Sequence, residues 1–444
     1  MRAADAQIEA IGGLETNGQQ IYQKRWWDRR WLVILVASLV ACVLIFLRRP
    51  DALLNPQFFA EDGTYYYSQA YNLGGLRALL LPVAGYLLLS ARLVALVAMY
   101  FPLSWAPAIF NVCAILMQAA PVSFLFTSRF DHLIPNWYAR GAIALLYLAI
   151  PNSYNLDATL TYAQWHLALL ALLVVIATPR SGRVWKIFDG AVILLSGLSG
   201  PYCLALAPVI LLRWWRTRNK QLLGLFAIDL FTAAVQVAVL LANMSAQRGQ
   251  EPIGASVVEL ARIVAGQLFM ATLFSGKGYA VINTTSWWAS SWFPILVSVC
   301  GVGFIALMLY RAPQELRLLW LFAALIFGSG LLAPIGSFSG TYWQQLAHPV
   351  WYPRFEFYLI VAWLTTLVWI LAKTTHVPVA ARRVALVLLA LTCMMGIPLD
   401  WQYPAFTDNH YQAYVQRFEQ MPPGSRMDIP LNPDPYWTMT LIKH

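Results

Sequence analysis

Acidic residues are scarce in this chain: Asp and Glu number 20 among 444 residues, and all charged residues together make up 11%. With 59% hydrophobic residues and a mean hydropathy of +0.59, there is far more apolar surface than an ordinary soluble core can bury. The composition excludes a soluble globular domain. Cysteines are few: Cys42, Cys113, Cys203, Cys300 and Cys393 all fall in apolar runs, and no two have the spacing of a metal or redox pair. They are packing residues. A removable signal peptide is missing as well, because the first thirty residues are polar and lack a basic region, an apolar core and a small-residue cleavage site. The first apolar run, Trp31 to Leu47, is expected to stay as a signal anchor. Also missing are a nucleotide-binding glycine loop, a Ser-His-Asp constellation and the paired repeats of many transporters.

What is present is aromatic and basic. Nineteen tryptophans and twenty-one tyrosines suit interfacial belts, where a ring with a polar tip sits at headgroup depth. The net charge of +10 fits cytoplasmic loops of a membrane protein better than a nucleic-acid surface, so no nucleic-acid partner is expected. Placing Lys24, Arg25, Arg29 and Arg30 inside sends the segment from Trp31 outward. The later clusters around Arg129 and Arg140, Arg180 to Lys186, Arg213 to Lys220, Arg311 and Arg317, and Lys373 to Arg383 then all belong inside too.

That requirement decides the stretch from Val83 to Thr127. Two spans would invert every later cluster, whereas a single crossing, Trp105 to Thr127, places them all inside. Val83 to Phe101, opened by Pro82 and closed by Pro102, then lies along the outer surface, which spares Arg92 a mid-bilayer position costing about 2.5 to 3.5 kcal/mol. Two hairpins of short helices follow, Gly141 to Thr178 around the polar tip "PNSYNLDATLTYAQWH", and "IFDGAVILLSGLSGPYCLALAPVILL". Broken backbone at membrane depth needs a cavity or protein around it. Fuller spans are Leu223 to Met244, Trp292 to Tyr310, Leu318 to Pro334, Phe357 to Ala372 and Val384 to Leu399, with "SVVELARIVAGQLFMATLF" as a second surface helix. The expected fold is an all-α polytopic membrane protein with about eleven transmembrane helices and outer juxtamembrane helices. It divides into a cytoplasmic tail 1–30, a membrane module 31–244, a second membrane module 245–399 with outer loops, and an outer tail 400–444. That tail is too rich in proline to span, and is expected to pack on the outer face as a lid or acceptor-binding element.

Glu61 and Asp62 stand on the outer side in "NPQFFAEDGTYYYSQAYNLGG", between two phenylalanines and three tyrosines. An acidic pair after the first span, then two juxtamembrane helices (Gly63 to Leu73 and Val83 to Phe101), then the second span, resembles the GT-C superfamily of membrane glycosyltransferases. The hairpin tip Ala149 to Trp165 and the turn "LSGPY" are similar to further GT-C features, and the likeness covers roughly Trp31 to Met244. A looser likeness is to bacterial GT-C-like proteins with "AEDG" before a "PYAGYL"-type helix, where this chain has "LPVAGYL" with Tyr86. The resemblance implies an inverting enzyme of the bacterial inner membrane. Such an enzyme takes a sugar from a polyprenyl-phosphate donor on the outer face and gives it to a lipid-linked glycan, another envelope glycan or a glycolipid, with membrane lipids around it.

The chemistry needs a carboxylate to take the acceptor's proton and cations to hold the leaving phosphate. Glu61 and Asp62 are the candidate catalytic pair, and either can be the base. Asp62 also reads as an N-cap for the helix that ends at Gly74-Gly75, whereas Glu61 has no structural role in sight. Tyr65, Tyr66 and Gln69 fall on the helical face of Asp62 and are candidate sugar contacts, with Tyr86, Gln164 and His166. Arg92, Lys277 and Arg354 are the candidate phosphate contacts. No cofactor and no metal ligand set is expected, with a divalent ion on the two carboxylates as the runner-up role. Two rivals remain, a lipid-linked glycan flippase or transporter, and a polysaccharide ligase or polymerase whose functional loop would be Ser337 to Arg354.

Overall fold

Backbone groups in a bilayer must satisfy one another, and the apolar runs do so as helices. The computed structural model describes residues 29–243, 252–332, 340–349, 354–373 and 377–444. Most of the tail 1–30, and residues 337–339 and 350–353 of the loop proposed for a ligase, therefore lie outside the described residues. Among the described residues, seven helices are long and apolar enough to cross a membrane: Arg30–Arg48, Leu103–Leu125, Lys220–Ala242, Val257–Asn283, Trp292–Arg311, Gln314–Leu332 and Val379–Leu399. The chain is a multi-pass membrane protein.

One of the seven does not run straight. In a continuous helix Gly266 and Tyr279 would stand about 20 Å apart, yet a Cβ added to Gly266 would run into the Tyr279 ring. The reversal is at Ser275, whose φ of 69° lies in the left-handed region. Both arms of Val257–Asn283 touch one pole of the molecule: Gln267 donates to the Leu346 and His348 carbonyls, and the Gly276 N–H donates to Asp400. The segment is a bent pair at the pole where the sequence predicts a surface helix.

The other six join five shorter helices, Trp137–Leu148, Leu160–Ile176, Arg183–Gly197, Cys203–Thr217 and Phe357–Ala372, to make eleven segments running between two poles. Leu160–Ile176 is buried nearly all round, so protein and not lipid sets its length. At the basic pole Arg129 pairs with Asp189 and donates to the Thr178 carbonyl, Arg213 pairs with Glu315, and Asp131 takes both Arg30 (2.7 Å) and Arg140 (2.9 Å). At the opposite pole Arg48 pairs with Asp157 (3.3 Å) and donates to the carbonyls of Leu148 and Ile150. These clamps gather the helix ends in two layers.

Between Arg48 and Leu103 the chain stays at the second pole. The Leu89–Ala98 helix docks by its first turn on the "LSGPY" turn, Leu89 N–H on the Leu198 carbonyl and Ser90 N–H on the Ser199 hydroxyl. The expected hairpin tip needs correcting: "TYAQWH" is not in the tip, because the helix already begins at Leu160. The tail departs from an all-α description. Its helix Tyr411–Gln420 leads to an antiparallel hairpin of β1 (Arg426–Leu431) and β2 (Trp437–Ile442), with Met427, Ile429, Leu431, Met439 and Leu441 turned inward. The hairpin lies on the first juxtamembrane helices: Thr64 donates to the Thr438 carbonyl, and Asn72 bonds both Thr440 and Ile442.

Candidate active site

The chain enters the site through a strained step. Ala60 has a φ of 44°, a left-handed conformation that a residue with a Cβ rarely adopts, and its N–H is taken by the Asn432 carbonyl of the tail. From there Asp62–Tyr67 winds as a π-helix before Ser68–Leu73 returns to α, ending at Gly74 with a φ of 90°. Single π turns recur at functional sites because they turn side chains off the regular α face. This is why the α spacing counted from Asp62 fails here. Tyr66 is buried at the site, but Tyr65 is exposed and packs edge-on against Trp437, and Gln69 turns to Arg92.

Asp62 is wholly buried, and it caps a different helix from the one expected. Thr161 donates its hydroxyl to the Asp62 carboxylate at 2.7 Å, and the Leu160 and Thr161 backbone amides also favour its charged form, so Asp62 sits at the N-terminus of Leu160–Ile176. Its own helix shows no side-chain cap. Burial nevertheless dominates and pushes the Asp62 carboxyl up to about 8, with the neighbouring Glu61 charge adding to the rise. Glu61 is only partly buried. Burial raises its carboxyl too, against the pull of Arg354 and Thr161. One oxygen on each acid, Glu61 Oε2 and Asp62 Oδ2, is sealed from solvent without a hydrogen-bond partner.

Opposite the pair stands Arg354. Its Nη1 donates to the Tyr162 hydroxyl at 3.1 Å, and its guanidinium lies 5.2 Å from the Phe355 ring centre. Burial disfavours that charge, but Tyr162, Tyr86 and Glu61 together hold the guanidinium above its ordinary value. Tyr86 is within electrostatic reach of both Arg354 and Glu61 and within hydrogen-bond reach of Gln164, whose Nε2 donates to the Thr161 carbonyl. Glu61, Asp62, Tyr66, Tyr86, Gln164 and Arg354 are therefore brought together.

Four other candidates are placed elsewhere. Arg92, 1% exposed, donates to the Tyr65 and Leu81 carbonyls and to Gln69 at 2.6 Å, so it ties the two juxtamembrane helices together and meets the site only through the Tyr66 ring, whose centre is 5.3 Å from its guanidinium. Gln69 is its partner and not a pocket group. His166 donates from Nε2 to the Leu156 carbonyl and sets Nδ1 2.7 Å from the Tyr147 hydroxyl, a satisfied core histidine. Lys277 reaches the Leu399 carbonyl on an exposed edge.

Sequence reasoning missed Thr161, Tyr162 and Glu356. The first two lie within the polar stretch already singled out, but a tip was expected where a helix begins. Glu356 is 1% exposed, with neither carboxylate oxygen partnered, and burial pushes it up to about 8 against the pull of Arg354. An acid two residues after Arg354, in a chain so poor in acids, was the available signal. Among the described residues no group of three or more His, Cys, Asp and Glu converges as a metal cluster. Two adjacent carboxylates can still hold a divalent ion if a ligand supplies the rest.

No protein-family model and no curated protein matches the chain. A crystal structure of ArnT from Cupriavidus metallidurans bound to undecaprenyl phosphate is similar to it at 14% sequence identity, with a TM-score of 0.44, over 84% of this chain and 76% of that one.

Proposed function

We propose that this protein is a GT-C type glycosyltransferase that moves a sugar from a polyprenyl-phosphate donor to an envelope glycan or glycolipid hydroxyl, with Glu61 as general base. The observation that carries this is the acidic pair itself: two adjacent carboxylates, each with one oxygen sealed from solvent and unpartnered, facing a guanidinium at the pole opposite the basic clusters. An unpartnered buried carboxylate is costly, and persists where a substrate completes its hydrogen bonding.

In the proposed reaction the Glu61 carboxylate takes the proton of the acceptor hydroxyl as that oxygen bonds to the anomeric carbon. The bond from this carbon to the phosphate oxygen breaks, and the electron pair leaves on polyprenyl phosphate. Arg354 is the cation for that phosphate, since guanidinium geometry suits a phosphate and its aromatic seat keeps it charged. Glu61 is preferred to Asp62 because it is the more open of the two, whereas Asp62 is held by Thr161 and sets the start of the Leu160–Ile176 helix. A one-step displacement inverts the sugar. The outer face of an inner membrane is the proposed site, because the basic clusters mark the other pole as cytoplasmic. The chemistry as proposed uses no cofactor. A divalent ion held by Glu61 Oε2 and Asp62 Oδ2 is the second possibility, and would show as loss of transfer on chelation and recovery with Mg²⁺ or Mn²⁺.

The test is to make Glu61→Gln and Asp62→Asn separately in cells, verify membrane insertion, and analyse envelope glycans by mass spectrometry. Loss of one glycan class in both variants and in a deletion strain is expected. Unchanged glycans in both variants beside loss in the deletion strain would remove the pair from the mechanism.

A further inference from the structure

Far from Glu61, five helices leave a cleft open at the basic pole. Leu103–Leu125, Trp137–Leu148, Leu160–Ile176, Gln314–Leu332 and Phe357–Ala372 wall a space of about 1270 Å³, its open mouth included. From Asn136 at the mouth to Tyr147 at the far end is a rise of about 16 Å along one helix. That is close to one leaflet of a hydrocarbon core about 30 Å thick. At the deep end the rings of Tyr147, His166 and Phe357 pack at 5.4 to 6.3 Å, and none of Glu61, Asp62 and Arg354 lines the cleft.

The lining is graded like an amphiphile. Apart from Tyr147 and Thr365 the deep walls are apolar, with Leu169, Leu173 and Val361 among them, while Asn136, Glu315 and Lys373 stand at the mouth. The charge there is positive. Arg213 neutralises Glu315, Asp131 is outnumbered by Arg30 and Arg140, and Lys373 is exposed. Arg140 belongs to this mouth, since its Nε donates to the carbonyl of the lining residue Ile134. Apolar burial alone cannot select a ligand inside a bilayer, where tails are as apolar as the walls. The positive mouth can.

We propose that this cleft binds one acidic phospholipid from the leaflet at the basic pole, an acyl chain lying between the helices and the phosphodiester anion at Lys373. The site is independent of the proposed transfer chemistry and remains if that is wrong. One lysine near the surface contributes about 1 kcal/mol toward an anionic headgroup, or about fivefold.

Native mass spectrometry of the full chain, released from micelles doped with equal phosphatidylglycerol and phosphatidylcholine, tests this. The expected result is one retained phosphatidylglycerol, favoured about fivefold. Lys373→Glu removes the preference, and Thr365→Trp, which fills the cleft, removes the retained lipid. Equal retention of the two lipids by the parent, or undiminished retention by Thr365→Trp, would overturn the proposal. If Thr365→Trp does not fold, Lys373→Glu decides, and an unchanged preference overturns the proposal. Displacement of the retained lipid by equimolar polyprenyl phosphate would also overturn it, by naming a different occupant.

Discussion

The two poles handle buried charge in opposite ways. At the basic pole every carboxylate among the described residues has a cation: Asp189 has Arg129, Glu315 has Arg213, and Asp131 has both Arg30 and Arg140. At the other pole Glu61, Asp62 and Glu356 keep carboxylate oxygens that no described residue partners, although Arg48 and Arg49 close by are paired with Asp157 and Asp51. Pairing is thus available on both sides, and among the described residues these three acids, with Asp229 inside Lys220–Ala242, go without it. Charges that hold helices together are satisfied within the chain, while charges left unsatisfied mark where something from outside completes the structure.

The largest expected effect tests the paired side. Arg129→Ala strands Asp189 among buried groups and is expected to destabilise the protein by about 3 to 5 kcal/mol, read as a lowered melting temperature in detergent. A melting temperature equal to the parent's would break the contrast at that pole. Asp62→Asn should do the reverse and raise stability at neutral pH by about 0.5 to 2 kcal/mol while transfer is lost. The sign follows from linkage. Burial raises the Asp62 carboxyl from 3.8 to about 8, so between those values the folded protein holds a proton that the unfolded chain has released. That contribution is complete below pH 3.8 and is lost as pH rises toward 8. The slope of melting temperature between pH 5 and 8 should therefore flatten in Asp62→Asn, and an unchanged slope would count against a proton on that acid.

Smaller effects sharpen the boundary of the site. Asn72→Ala removes two hydrogen bonds to the tail hairpin and is expected to loosen it by about 1 kcal/mol, seen as faster amide exchange over residues 426–442 with transfer retained. Asp229 is the useful exception, since it lies buried within Lys220–Ala242 with neither oxygen partnered. A transporter would need such a residue, whereas a glycosyltransferase working at Glu61 would not. Asp229→Asn should leave envelope glycans at parental levels, and their loss would favour transport.

Much of the fold was legible because membrane folding obeys few rules. Length, proline brackets and the side taken by arginines were enough to place Leu89–Ala98 beside the pole and to allow one crossing before Arg129. Geometry that departs from ideal spacing was not legible. The π turn at Asp62–Tyr67 rotated Tyr65 and Gln69 off the face that α periodicity assigned them. The start of Leu160–Ile176 is held by Asp62 from a segment about a hundred residues earlier, a long-range contact no local pattern reveals. In the tail, Pro430 sits within β1 and hid the alternation of Met427, Ile429 and Leu431. Arg92 and Arg354 were indistinguishable as outward cations beside aromatics, and only their partners separate a clamp from a site group.

The most direct measurement is turnover by the purified protein reconstituted in lipid, given polyprenyl-phosphate sugars carrying a labelled pentose or hexose, with release of polyprenyl phosphate as the readout. The parent should release it from at least one donor. Glu61→Gln should fall by about 10² to 10⁴-fold, with a melting temperature no lower than the parent's. Equal release by Glu61→Gln and the parent would contradict the claim that the unpaired carboxylates are the reacting centre.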